Sequence, residues 1–110
     1  MSGKKRKIYF STTDPEGRQI ILYEETWMIH KKKHLEIKRP TEIKTTIQKP
    51  DFITENTARN SLAYTKISRL DLNLNVYVHV DDDTYTTGKV ATAFLQKDSP
   101  KGDVIWYRKS

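Results

Sequence analysis

The sequence predicts an α+β fold, in which two N-terminal helices, after a β-hairpin, pack on an antiparallel sheet of about four strands. Three observations carry this. A proline–glycine turn stands at Asp14-Pro15-Glu16-Gly17, helical spacing runs between Glu24 and Pro50, and two-residue alternation dominates from Asp51 to the C-terminus.

The basic start Met1 to Lys5 reads as an arm, and Lys7 to Phe10 as the first strand. Proline at the second and glycine at the last position of the tight turn return the chain along Arg18 to Leu22. Glu24 and Glu25 then open a helix, and Lys31, Lys32, Lys33, Lys38 and Arg39 suit its far end, each sign complementing the helix dipole. The expected span is Glu24 to Lys38, with Trp27, His30, His34 and Ile37 on one face. Pro40 suits the first turn of a second helix carrying Ile43 and Ile47, and Pro50 ends it.

From Asp51 the pattern is that of a sheet. Phe52 to Asn56 and Ser61 to Ile67 flank a polar turn, and Leu72, Leu74, Val76, Val78 and Val80 alternate with Asn73, Asn75, Tyr77 and His79. An acidic turn, Asp81 to Asp83, leads to a strand from Gly88 to Leu95, and a second turn through Pro100 and Gly102 to one from Val104 to Arg108. The organisation is a basic arm with the first strand, residues 1–13, followed by a single domain, residues 14–110.

At 110 residues, 35% of them apolar and patterned, the chain has enough core for one folded unit. It contains no cysteine, which excludes disulfides, thiolate metal sites and thiol nucleophiles. No apolar run approaches the roughly 20 residues that cross a bilayer, so no membrane partner is expected, nor an ordinary secretion signal. The net charge is +6, and all of the excess lies in the first half: residues 1–49 hold twelve Lys or Arg against six acids, and residues 50–110 eight against eight. A localised basic surface suits a polyanion such as RNA, and it equally suits mere solubility.

RNA cleavage without a metal needs a group to take the 2′-hydroxyl proton, a cation for the phosphorane charge, and an acid for the leaving oxygen. His30, His34, Arg59, Lys66 and the lysine run supply those residue types. His30 and His34 also have the four-residue spacing of zinc ligands, but three lysines stand between them in place of a metallopeptidase glutamate, so neither metal nor other cofactor is expected. Asp81 to Asp83 lacks the glycine and late glutamate of a calcium loop. Neither a glycine-rich phosphate loop nor a nucleophile elbow is present. Tyr64, Tyr77, Tyr85, Phe94, Trp106 and Tyr107 fall in or beside strands, where they serve either as core or as base-stacking surface. Tyr77 lies on the polar side of its strand with His79.

Asp14-x-x-Gly17-Arg18-x-Ile20-x-Leu22-x-Glu24-Glu25-x-Trp27 is followed by His34-x-Glu36 and Thr46-Ile47-x-Lys49-Pro50-Asp51-x-Ile53. Tyr64-x-Lys66, Val90-Ala91-Thr92-Ala93-Phe94 and Lys101-Gly102-Asp103-Val104-Ile105-Trp106 complete the series. In order and spacing this resembles the phage-associated barnase/EndoU/colicin/RelE-type (BECR) ribonuclease toxin domains, over roughly residues 14–107. The resemblance implies a BECR-like fold and a toxin-type endoribonuclease that cleaves by 2′-hydroxyl attack, leaving a 2′,3′-cyclic phosphate. It implies His34 as general acid or base, Thr92 on the scissile phosphate, and Arg59 or Lys66 as phosphate-binding cation. His30, Lys31, Lys33, Lys38, Tyr64 and Tyr77 are the expected RNA-binding residues. An acidic inhibitor or antitoxin is the expected protein partner, with action in the cytoplasm of the producing or a target cell. Two rivals stand beside this reading: a non-catalytic RNA- or ribosome-binding module, and an adaptor whose basic face docks on an acidic protein.

Overall fold

A computed structural model describes residues 7–34, 36–67, 72–80 and 86–109. Met1 to Lys5, the acidic turn Asp81 to Asp83 and Tyr85 lie outside the described residues. The elements run β1 (Ile8–Thr13), β2 (Gln19–Tyr23), α1 (Glu24–Lys33), α2 (Pro40–Gln48), β3 (Phe52–Asn56), β4 (Ser61–Ile67), β5 (Asn73–Val80), β6 (Thr87–Gln96) and β7 (Asp103–Tyr107), with a single 3-10 turn, Thr57–Arg59, between β3 and β4.

The expected architecture requires correction. The sheet has seven strands in the order β1-β2-β6-β5-β4-β3-β7, and it is mixed. The N-terminal hairpin joins the sheet, because Gln19 to Ile21 of β2 pair in parallel with Thr87 to Lys89 of β6. At the other side β7 returns antiparallel to β3, pairing Phe52 with Tyr107 and Ile53 with Trp106. Strand alternation identifies which residues face the core; it carries no information about which strand lies alongside which. The hairpin and the last strand were both expected as strands; their pairing with β6 and β3, which makes one seven-stranded sheet in place of about four strands, was not.

One face of the sheet is apolar, and the helices cover it. Leu62 and Tyr64 of β4, Val76, Val78 and Val80 of β5, and Ile20 and Leu22 of β2 share a core with Trp27, Ile43 and Ile47 from the helices. Alternation sends the neighbours Ala63, Asn75, Tyr77 and Thr92 to the opposite face. Register shifts between Tyr77 and Val78: Tyr77 pairs with Thr92 and Val78 with Val90, so Ala91 forms a bulge without a partner on β5.

Helix α1 ends at Lys33, five residues short of expectation. Pro40 disfavours helical geometry in the residue before it, and Arg39 is extended at φ −131°, ψ 137°. The intervening turn drops Ile37, 2% exposed, into the core. Between β1 and β2, the buried Asp14 ties the turn to the sheet. Its Oδ1 accepts the backbone N–H groups of Glu16 (2.9 Å) and Arg18 (2.8 Å). Its Oδ2 accepts from Arg18 Nη1 (2.9 Å) and from the Tyr64 hydroxyl (2.6 Å). Among the described residues no helix is long and apolar enough to cross a membrane.

Candidate active site

Beyond the partner of Ile21 the edge of β6 has no strand beside it among the described residues, and α1 packs against β6. His30 Nε2 stands 2.5 Å from the Ala93 carbonyl. A carbonyl can only accept, so the ring carries its proton on Nε2 and donates it to the strand. His30 is 4% exposed, and burial holds its pKa below the ordinary value, against the opposing pull of the Ala93 bond. Its Nδ1 has no hydrogen-bond partner among the described residues.

From this anchor a row of rings leads out of the core. Trp27 stacks on His30 at 5.6 Å, His30 meets His34 at 4.8 Å, His34 stacks on Phe94 at 5.5 Å, and Phe94 on Tyr77 at 5.3 Å. The first three belong to the helix face foreseen from their spacing. Phe94 and Tyr77 belong to the sheet face away from the core, so the row turns around the open edge of β6. His34 is the C-cap of α1, its N–H bonded to the His30 carbonyl at 2.9 Å, with Glu36 Oε2 3.6 Å from its Nδ1.

On that sheet face lies a groove of about 570 Å³. Its floor includes Ala63, Tyr77, His79, Thr92 and Phe94, and Arg59 and Lys101 stand at its walls. A smaller hollow of about 340 Å³ is lined by Thr26, Ile29, His30, Lys33 and His34, and shares Ala91 and Thr92 with the groove. The bulged strand thus forms a common wall, with His34 on one side and Arg59 and His79 on the other. The imidazoles of His34 and His79, a guanidinium, an ammonium and a threonine hydroxyl, distributed over two adjoining hollows, are groups that can bind a phosphodiester and move protons at its oxygens.

The expected site residues divide accordingly. His34, Arg59, Thr92, Tyr77, His30 and Lys33 line the two joined hollows. Lys66 does not reach them: it points to the helix side, with its Nζ 3.5 Å from the Lys49 carbonyl and 3.9 Å from Asp51. Tyr64 is also removed from any RNA contact, being 0% exposed and bonded to Asp14, with burial raising its pKa. Lys31 and Lys38 are exposed and line neither hollow. The groove adds His79, Lys101 and Gln96. Alternation with Tyr77 announced His79; nothing local announced the other two, which arrive through the β6–β7 connection and the register of β6. No three metal-ligating side chains converge among the described residues.

In comparison with known proteins, no family model, no curated protein and no solved structure matches this chain.

Proposed function

We propose that the chain is a metal-independent endoribonuclease of toxin type. The observation that carries this is the shared lining at Ala91 and Thr92, which joins the hollow that holds His34 to the groove that holds His79 and Arg59. One histidine takes the proton from a 2′-hydroxyl, the freed oxygen attacks phosphorus, and the bond from phosphorus to the 5′-oxygen breaks. The other histidine returns a proton to that leaving oxygen, and a 2′,3′-cyclic phosphate remains. Arg59 and Lys101 offset the charge that builds on the phosphoryl oxygens, and Thr92 donates a hydrogen bond to one of them. The rings of Phe94 and Tyr77 provide a stacking surface for a base next to the reacting phosphate. The order of residues resembling BECR nucleases supports the same chemistry for His34 and Thr92.

The test uses end-labelled RNA in the presence of a chelator, with wild type, His34→Ala and His79→Ala. Cyclic-phosphate ends from wild type and their loss in His34→Ala are expected. Intact RNA that is nevertheless retained, and released steeply by salt, would instead identify a binding module, a reading that the ring row also favours.

A further inference from the structure

Gln96 lies at the end of β6 and lines the groove, and its side-chain orientation is set by its neighbours. The main-chain carbonyl of Asp98 can only accept. Asn75 Nδ2 lies 3.4 Å from it, so the nitrogen of the fully buried Asn75 amide faces that way, while its Oδ1 accepts from the Thr65 hydroxyl at 2.7 Å. The same Nδ2 donates to Gln96 Oε1 at 2.7 Å, and the Tyr77 hydroxyl donates to that oxygen at 2.6 Å. Both directions of the Gln96 amide are thereby fixed. Its oxygen is occupied by two donors, and its NH₂ group has no acceptor among the described residues. Asp98 lines the same groove and is exposed, adding a carboxylate acceptor.

We infer that the groove selects a keto base, one that presents a carbonyl beside a ring N–H as guanine and uracil do, with Gln96 donating to the carbonyl and Asp98 accepting from the N–H. Adenine and cytosine place an amino group where the Gln96 NH₂ needs an acceptor, so donor meets donor and both lose water without a partner. Tyr77 has two roles in this arrangement. Its ring extends the stack from Phe94, and its hydroxyl holds Gln96 in the donating orientation. The inference rests on the proposed function only in taking RNA as the occupant of the groove. It is independent of whether that RNA is cut.

The experiment is fluorescence anisotropy of the full chain, at one low salt concentration, with 2′-O-methyl octamers that bind without being cleaved. The three probes contain uracil alone, alternating guanine and adenine, or alternating adenine and cytosine. The first two are expected to bind on the order of tenfold more tightly than the third. Tight binding of only the uracil probe or only the guanine probe assigns the base. Methylation of uracil at N3, which removes the ring N–H, is expected to weaken binding to the level of the adenine–cytosine probe. This ligand-side change requires no protein variant to fold. Gln96→Glu keeps an oxygen for Asn75 and Tyr77 but replaces the donor, and Gln96→Met removes it; both are expected to erase the preference. Equal binding of all probes by wild type, retention of none, or a preference that survives in both variants overturns the inference. Cleavage without base preference sinks this inference alone, and base preference without cleavage sinks the nuclease reading alone.

Discussion

Asp14→Ala is the sharpest available test of how the hairpin is joined to the sheet. The substitution removes two carboxylate oxygens that accept four hydrogen bonds, from Glu16 N, Arg18 N, Arg18 Nη1 and Tyr64 Oη. The two backbone donors lie in an exposed turn and recover water. The Tyr64 hydroxyl cannot, because the residue is 0% exposed, and an orphaned buried group of this kind costs about 1–3 kcal/mol. Arg18, whose side chain is 14% exposed, loses its buried partner while keeping Glu16 at 2.9 Å. Breaking a buried pair from one side costs about 3–5 kcal/mol, a large part of the ~5–15 kcal/mol that holds a domain together. Tyr64→Phe removes the donor as well as the bond and leaves Asp14 three others, so its expected cost is only about 1 kcal/mol. Combining the two removes the orphan, and Asp14→Ala/Tyr64→Phe is expected to be more stable than Asp14→Ala alone. Urea unfolding followed by circular dichroism, with the slope checked for constancy, measures all three. A cost for Tyr64→Phe as large as that for Asp14→Ala, or a double variant weaker than either single one, would refute the account. Because Asp14 lies on the helix side of the sheet, RNA binding by the folded fraction of each variant should match wild type.

Other outcomes depend on the same geometry. Burial holds His30 below its ordinary pKa, so between the folded value and about 6.5 the unfolded chain binds the extra proton. Stability contributed by neutral His30 is therefore full above about pH 6.5, falls as the pH drops from there, and levels off beneath the folded pKa; urea midpoints across this range should show that limb in wild type and lack it in His30→Phe. Arg59→Ala should reduce cleavage by roughly 10²-fold and lower the salt slope of RNA binding by about one, whereas Lys66→Ala, on the far face, should leave both unchanged. Gly102 has φ +129°, and a Cβ there would stand 2.2 Å from the Glu55 carbonyl oxygen. Gly102→Ala should therefore displace the β6–β7 connection and cost more than about 1 kcal/mol in a thermal melt, together with the position of Lys101 in the groove.

Most elements were legible because they rest on local chemistry, the C-terminal end of α1 excepted. Pro40 and Pro50 bracket α2, and the strands Phe52–Asn56 and Ser61–Ile67 have the bounds that their composition suggests. The arrangement of strands was not legible, since the pairing of β2 with β6 joins residues some seventy positions apart through backbone groups that every residue possesses. For the site, parity in the strands was the useful signal. Tyr77 and His79 occupy the polar positions of β5 and do line the groove. The same parity places Lys66 and Tyr64 with Leu62, an apolar position, and so assigns them to the helix side. Two other features lay beyond any local pattern. The role of His30 depends on the strand edge that β2 leaves uncovered, and the orientation of Gln96 depends on Asn75, Tyr77 and Asp98 arriving together.

The seal between His30 and the Ala93 carbonyl fixes α1 against slippage as a tooth fixes a gear. Each residue of a helix advances the side chains by about 100°, so one inserted residue between Glu24 and Ile29 would swing the imidazole away from the strand. The same rotation would carry His34 off Phe94. A single codon gained there should remove the edge seal and the stacking of His34 on Phe94 in one event, while the same gain in the connection 36–39 leaves the phase of the helix unchanged. Within α1, therefore, the residue count ahead of His30 matters more than the identity of the lysines on its outer face.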